Sequence, residues 1–249
     1  MKTFAEYWVE NFNGLRIKEL DKRHVVLEDL KAVFNQLPNK VSVSEIGQSF
    51  ENRPIHKLSI GHGPKNVLAW SCMHGNETTS LRGWMDLFVN QPVNSHFEKL
   101  LSEFTIHFIP MLNPDGAVRY TRRNAMGLDM NRDARALETP EMKFLVMEID
   151  RLNPVLAFNL HDQRNIFAVN NVPATISFLA PSIDVERTVP QERAITMDLI
   201  GAAAEAIKPF INDGIGRYTD EYYPTAIGEF VQQKGIPTIL VECGAAKND

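Results

Sequence analysis

The sequence has little of what would set it apart from an ordinary globular protein. Two cysteines in 249 residues are too few for a disulfide framework. They read best as free thiols in a reducing, cytoplasmic setting. No apolar run approaches the roughly 20 residues of a membrane span. The opening MKTFAEYWVENFNG has no apolar core and no small-residue cleavage site, so nothing in it reads as a secretion signal. Positive charge is not in excess: 26 Lys and Arg against 31 Asp and Glu leave a formal charge of −5. That speaks against nucleic acid or an anionic membrane as partner. Internal repeats, low-complexity tracts and Gly/Ser linkers are also missing, and with them any obvious domain boundary.

What is present is enough apolar sequence, 44%, for one large core. A chain of this size buries roughly 70–75% of its unfolded surface. The expectation is one domain over 1–249, with a helical N-terminal segment over 1–40. In that segment Leu20, Val25, Leu27, Leu30, Val33 and Phe34 recur at helical spacing until Pro38-Asn39 stops the pattern. VSVSEIG (41–47) and IHKLSIG (55–61) alternate apolar with polar residues around the break Asn52-Arg53-Pro54, which predicts an edge hairpin. Four continuous apolar runs follow: NVLAWSCM (66–73), FTIHFIP (104–110), PVLAFNL (154–160) and IPTILVE (236–242). Such runs suit strands covered on both faces. Helical patterns lie over roughly 77–90, 95–102, 139–152 and 190–208. The third of these opens on Thr139-Pro140, a cap followed by proline at the first helical position. The fold class expected is α/β, a mixed and mostly parallel central sheet sandwiched between helices.

Three of the buried runs end in residues that bind metal or move protons. The first runs into His74, with Glu77 three positions on; the third ends at His161-Asp162; the last ends at Glu242-Cys243. Ligand sites in such sheets gather at the carboxyl ends of the strands, so these residues are expected to converge. Two imidazoles and a carboxylate match the protein ligands of a catalytic zinc, and the remaining carboxylate, Glu242, suits proton transfer to and from a leaving nitrogen. Between the first and third of these runs lies NPDGAVRYTRRNAMGLDMNRDARA (113–136), with arginines at 119, 122, 123, 132 and 135. Taken alone, these are either a solvated loop or cations serving chemistry. One guanidinium can steady an oxyanion and another can clamp a carboxylate.

The motifs HGNE (74–77), NPDG (113–116), RRN (122–124), GLDMNRD (127–133), NLHD (159–162) and LVEC (240–243) occur in this order. In that set the chain resembles the zinc carboxypeptidases of the carboxypeptidase A type, as a bacterial member, over about residues 41–243. The resemblance implies one zinc per chain held by His74, Glu77 and His161, with Glu242 as general base and acid toward a zinc-activated water. It implies that Arg122 polarises the scissile carbonyl, that Asn131 and Arg132 hold the substrate's terminal carboxylate, and that Asp129 orients His74. A tyrosine closing over substrate is also implied. Tyr222 and Tyr223 both lie at about the right distance before Glu242, and Tyr223 is taken as the substrate-binding one. Position 133 holds aspartate where the family reads asparagine, and Asp133 is expected to point away from the substrate.

The activity implied is a zinc metallocarboxypeptidase that cuts an amide bond next to a free carboxylate, with a peptide as substrate. One alternative is an amidohydrolase of the succinylglutamate desuccinylase and aspartoacylase type, acting on small N-acyl amino acids. Another is a binding module on the same scaffold that has lost catalysis.

Overall fold

The computed structural model describes residues 4–91, 95–163, 167–211 and 213–244. The chain opens with α1 (Phe4–Leu15), a short 3-10 turn and α2 (Leu27–Phe34). The helix expected from Leu20 onward is therefore shorter than its spacing suggests. Leu20 and Val25 are buried all the same, but the Asp29 carboxylate accepts from the Val26 N–H at 2.9 Å and starts the helix there. A side-chain acceptor at the third helical position takes one of the N–H groups a helix start leaves unpaired.

The hairpin is β1 (Ser42–Gln48) and β2 (Pro54–Gly61), antiparallel as expected. A register shift lies between Glu45 and Gly47. A side chain at Gly47 would sit 2.3 Å from the Phe144 ring, so only glycine lets the strand lie this close to its covering helix. Next come β3 (Lys65–Trp70), α3 (Thr79–Val89), α4 (Ser95–Glu103), β4 (Phe104–Ile109), α5 (Pro114–Arg119), α6 (Pro140–Leu152) and β5 (Leu156–Asp162). Thr139 caps α6 by accepting from the Met142 N–H. Beyond β5 are a small pair, β6 (Ala168–Val169) and β7 (Val172–Pro173), then β8 (Ile176–Leu179), α7 (Gln191–Ile211), β9 (Ile215–Arg217), α8 (Ile227–Gln233) and β10 (Thr238–Cys243).

Eight strands form one sheet in the order β1-β2-β4-β3-β5-β10-β8-β9. The central strands β4, β3, β5 and β10 run parallel to one another, while β1–β2, β2–β4 and β10–β8 pair antiparallel. Each face of the sheet has its own core. On one, Leu81, Met85, Phe88 and Phe108 pack with α2 residues Leu30 and Val33. On the other, Leu68, Trp70 and Ile109 meet Met142, Leu145 and Ile149 of α6 and Ile227 and Val231 of α8. Alternation along β3 sends Leu68 and Trp70 to one layer and Ala69 to the other, which is why the run reads as continuously apolar. Because the four central strands share one direction, all end at the same edge. That edge carries His74, Asn113, His161 and Glu242.

Candidate active site

The site begins where β3 stops. Cys72 takes a left-handed backbone conformation (φ +48°), which costs a side-chain-bearing residue free energy and is concentrated at functional sites. The turn is held against the loop after β4. Asn113 N–H donates to the Cys72 carbonyl (3.0 Å), its side-chain amide donates to the Met73 carbonyl (3.0 Å), and its side-chain oxygen accepts from Gly116 N–H (2.8 Å). The two loops interlock so tightly that a Cβ on Gly75 would lie 2.0 Å from the Gly116 carbonyl carbon. HGNE and NPDG, far apart in sequence, are two halves of one turn assembly. Asp115 anchors that assembly to the hairpin. Wholly buried, it accepts from Ser49 Oγ (2.7 Å), Glu51 N–H (3.0 Å) and Arg53 Nη1 (2.6 Å).

This assembly presents His74 and Glu77, and β5 presents His161. All three are buried, at 1%, 3% and 3% exposure, and one ligand atom from each lies within 4.8 Å of the others. Glu77 Oε2 faces His74 Nδ1 at 2.9 Å and His161 Nδ1 at 3.0 Å. His74 turns its other nitrogen, Nε2, to Asp129 Oδ1 at 3.1 Å. A proton held on Nε2 by that carboxylate leaves the Nδ1 lone pair facing Glu77, where it meets Arg122 Nη1 at 3.1 Å. Imidazole lone pairs and a buried carboxylate aimed at one point want a cation between them. Two nitrogens and one oxygen beside a cleft fit the protein ligands of a catalytic zinc, and the Asp129–His74 contact is the outer support such ligands have. Burial opposes the charge on Glu77, but the His161 and His74 imidazoles facing it prevail and hold its carboxyl far below the ordinary carboxylate value. Burial likewise opposes the charge on Asp129, and His74 and Arg122 override it in the same direction.

Glu242 stands beside His161. The two are Cα partners across the parallel β5–β10 ladder, and Glu242 lines the same cleft as the three candidate ligands. Burial pushes its carboxyl above the ordinary value; the His161 imidazole works against that shift and the Glu77 charge adds to it. Of the two thiols next to the site, Cys72 is buried and Cys243 partly buried, and both are held protonated. Burial raises Cys72, and burial pushes Cys243 up to about 12.

Of the five arginines, two reach the cleft. Arg122 straddles Asp129 and Glu77, with Nε 3.1 Å from Asp129 Oδ2 and Nη1 3.3 Å from Glu77 Oε1. Arg132 donates to its neighbour's carbonyl at Asn131 (2.7 Å) and lies over the Tyr223 ring, 4.8 Å from its centroid. The others are tied into the loop: Arg119 to the Asp115 carbonyl, Arg123 to the Gly127 carbonyl and Arg135 to the Pro224 carbonyl. Asn131 accepts from the Ile227 N–H (3.1 Å), which ties the arginine loop to the start of α8 and leaves the amide nitrogen for the cleft. Asp133 points away, as expected. It accepts from the N–H groups of Glu138 and Thr139 and from the Thr139 hydroxyl (2.9, 2.8 and 2.7 Å), so it braces the start of α6. Of the two tyrosines, Tyr223 lines the cleft, and its hydroxyl donates to Glu221 (2.9 Å). The Tyr222 hydroxyl instead accepts from Gln233 (2.8 Å).

A family profile described as zinc carboxypeptidase matches residues 26–169. The chain belongs to the zinc carboxypeptidase family. Among curated relatives of this family member, a carboxypeptidase E of Caenorhabditis elegans is 28% identical over 177 residues, covering 60% of this chain and 38% of the relative. An inactive metallocarboxypeptidase of Paracoccidioides brasiliensis is 27% identical over 135 residues, covering 46% and 23%. The chain thus spans less than half the length of these curated relatives. A solved metallo-carboxypeptidase of Burkholderia cenocepacia shares the fold with TM-score 0.69 at 20% identity, covering 87% of this chain and 59% of that one. A carboxypeptidase A of Helicoverpa armigera does so with TM-score 0.66 at 20% identity, covering 96% and 71%. Among the described residues no helix is long and apolar enough to cross a membrane.

Among the cleft residues that carried no motif in the sequence are Phe167, Tyr218 and Glu229. Tyr218 stacks edge-on against Phe167 (5.5 Å between centroids). Burial raises its hydroxyl pKa, with the Glu242 charge adding to the shift. The only local signal for Glu229 is an acid inside the otherwise apolar stretch AIGEFV.

Proposed function

We propose that this family member is a zinc-dependent metallocarboxypeptidase, hydrolysing the amide bond next to a free carboxylate terminus. One observation carries the reading. His74, Glu77 and His161 offer three ligand atoms within 4.8 Å of one another, and Glu242 sits across the ladder from His161 in the same cleft. When bound, zinc supplies Lewis acidity to a water and to the scissile carbonyl. Asp129 fixes the proton of His74 on Nε2, so that the ring presents Nδ1 as a donor atom. Glu242 takes the water's proton and returns it to the leaving nitrogen. A carboxylate made more basic by burial is suited to that exchange. Arg122, next to the ligands, steadies negative charge as it develops on the carbonyl oxygen. Arg132 and the Asn131 amide hold the terminal carboxylate, and the face of Tyr223 limits where the Arg132 guanidinium can swing.

The binding-module reading calls for a lost ligand or base, and this chain retains all four residues in one cleft. The test is zinc stoichiometry together with turnover of free-ended peptides, amidated peptides and N-acyl amino acids. One zinc per chain, cleavage of free-ended peptides only, and loss of turnover by at least about a hundredfold in Glu242→Gln are expected. Turnover of N-acyl amino acids in preference to peptides would replace this reading with the amidohydrolase one. A zinc-loaded protein that cleaves nothing would leave the binding module.

A further inference from the structure

Three neighbouring side chains of the sheet hold polar atoms that no described residue meets: both amide atoms of Asn159, Nε1 of Trp70 and Nε2 of His161. Asn159 and Trp70 are 0% exposed and His161 is 3% exposed. Buried polar groups are nearly always hydrogen-bonded, and an orphan among them marks a partner other than protein, most simply an ordered water. For His161 this matters most. Its Nδ1 faces Glu77 at 3.0 Å, on the side of the candidate metal position, so Nε2 carries the ring proton. A metal-bound imidazole almost always donates that proton to an oxygen. His74 has Asp129 for this; His161 has no protein oxygen among the described residues.

Asn159 stands two residues before His161 on β5, and alternation along the strand puts both side chains on one face. Trp70 and Leu240 flank Asn159 as its Cα partners on either side. α8 closes over it, since a Cβ on Gly228 would lie 3.5 Å from Asn159 Nδ2. Behind it on the same face is Ala157, which has no polar side-chain atom. Polar company therefore lies across the ladder at Trp70 and ahead along the strand at His161. Both of those offer an N–H, and Asn159 Oδ1 is the acceptor of the group. At roughly 3.3 Å of rise per residue the Asn159 and His161 side chains start about 6.6 Å apart. That is too far for parallel side chains to touch and suits one water between them. Such a water accepts from His161 Nε2 and donates to Asn159 Oδ1, with the Trp70 N–H in the same layer as a third partner.

We propose that Asn159 is a positioning residue: through one buried water it takes the Nε2 proton of His161 and holds the ring with Nδ1 toward the metal position. The inference deepens the proposed function and rests on it for the role of His161, but not for the water. A crystal structure of the protein, zinc-loaded or metal-free, should place a water within about 3.2 Å of both His161 Nε2 and the Asn159 amide. Asn159→Leu, which fills a similar volume without polar atoms, should weaken zinc binding by about ten- to a hundredfold. It should also shift the visible d–d bands of the cobalt-substituted protein, which a merely structural loss leaves in place. Asn159→Asp keeps an acceptor and should bind zinc within about threefold of the unaltered protein. No water between the two side chains, or a His161 Nε2 bonded to another protein group, overturns the proposal. So does a folded Asn159→Leu variant whose zinc affinity or cobalt bands are unaltered, or an Asn159→Asp variant that falls as far as Asn159→Leu. Should Asn159→Leu not fold, as judged by circular dichroism, the water and the Asn159→Asp affinity decide. If the unaltered protein takes up no zinc, the proposed function falls, and the water in the metal-free crystal alone decides this inference.

Discussion

Asp129 offers the sharpest test of the proposed metal centre. Its carboxylate accepts three hydrogen bonds, from His74 Nε2 (3.1 Å), Arg122 Nε (3.1 Å) and the Asn131 N–H (3.0 Å), and pairs with Arg122 Nη2 at 3.1 Å. The Arg122 side chain is 44% exposed, so its pairing contributes no more than about 1 kcal/mol. Holding a metal-ligating imidazole in orientation and raising its basicity is worth about ten- to a hundredfold in metal affinity, or about 1.4–2.7 kcal/mol. Asp129→Ala is therefore expected to weaken zinc binding by that factor, read by competition against a chromophoric chelator at fixed pH and salt. Asp129→Asn separates the two roles. Its amide oxygen still accepts from His74, so zinc affinity falls by about tenfold or less. Its amide nitrogen, though, turns donors toward the Arg122 fork, and turnover drops further than affinity. An Ala variant that binds zinc within threefold of the unaltered protein would refute the orientation argument.

Other perturbations address the scaffold. Gly75→Ala puts a carbon 2.0 Å from the Gly116 backbone. It should cost about 3 kcal/mol or more in urea unfolding and lower zinc affinity with it; an unchanged midpoint would mean the two loops can part freely. Asp115→Ala removes a buried acceptor from Ser49, Glu51 and Arg53. Arg53 keeps Glu51, so the loss falls at the low end for a broken buried pair, about 3 kcal/mol. A loss under 1 kcal/mol would show that Glu51 suffices. His107, between Ser59 Oγ (2.7 Å) and Asn66 Oδ1 (3.1 Å), is pushed down to about 4 by burial, helped by Lys57 and Arg151. A base neutral in the fold but charged when unfolded gives stability that is whole above about pH 6.5 and is lost as pH falls through 4. With water reaching part of the ring, this amounts to on the order of 1–3 kcal/mol. Metal-free protein should show that slope and His107→Gln should flatten it; identical slopes would clear His107 of the effect.

The legible parts of the sequence were those governed by local physics. The four central strands were readable because burial on both faces demands unbroken apolar runs, and α6 because Thr139-Pro140 is a start signal in itself. The candidate metal ligands were readable because they sit at the ends of those strands. β8, β9 and α8 were not. They are short, and what makes them strands or helix is the pairing of β8 with β10, of β9 with β8, and the packing of α8 against the α6 side of the core, information spread along the chain. Arg122 and Arg132 could not be told from Arg119, Arg123 and Arg135 by composition, since only the fold shows which guanidinium reaches the cleft. Glu229 and Tyr218 face the cleft through tertiary placement alone.

The pairing of Glu242 with His161 across β5 and β10 has a consequence for how such a protein can change. Adjacent strands stand about 4.8 Å apart whatever connects them. The spacing between the proposed proton carrier and the proposed metal ligand is therefore a property of the ladder, and the chain from Gln163 to Pro237 is relieved of setting it. That intervening stretch supplies Tyr218, Tyr223 and Glu229 to the cleft. Substrate preference can drift there by insertion or deletion while the reacting geometry stays put. A slip of a single residue along the ladder does the opposite. It turns Glu242 to the far face of the sheet and ends the chemistry at one stroke, with every loop intact.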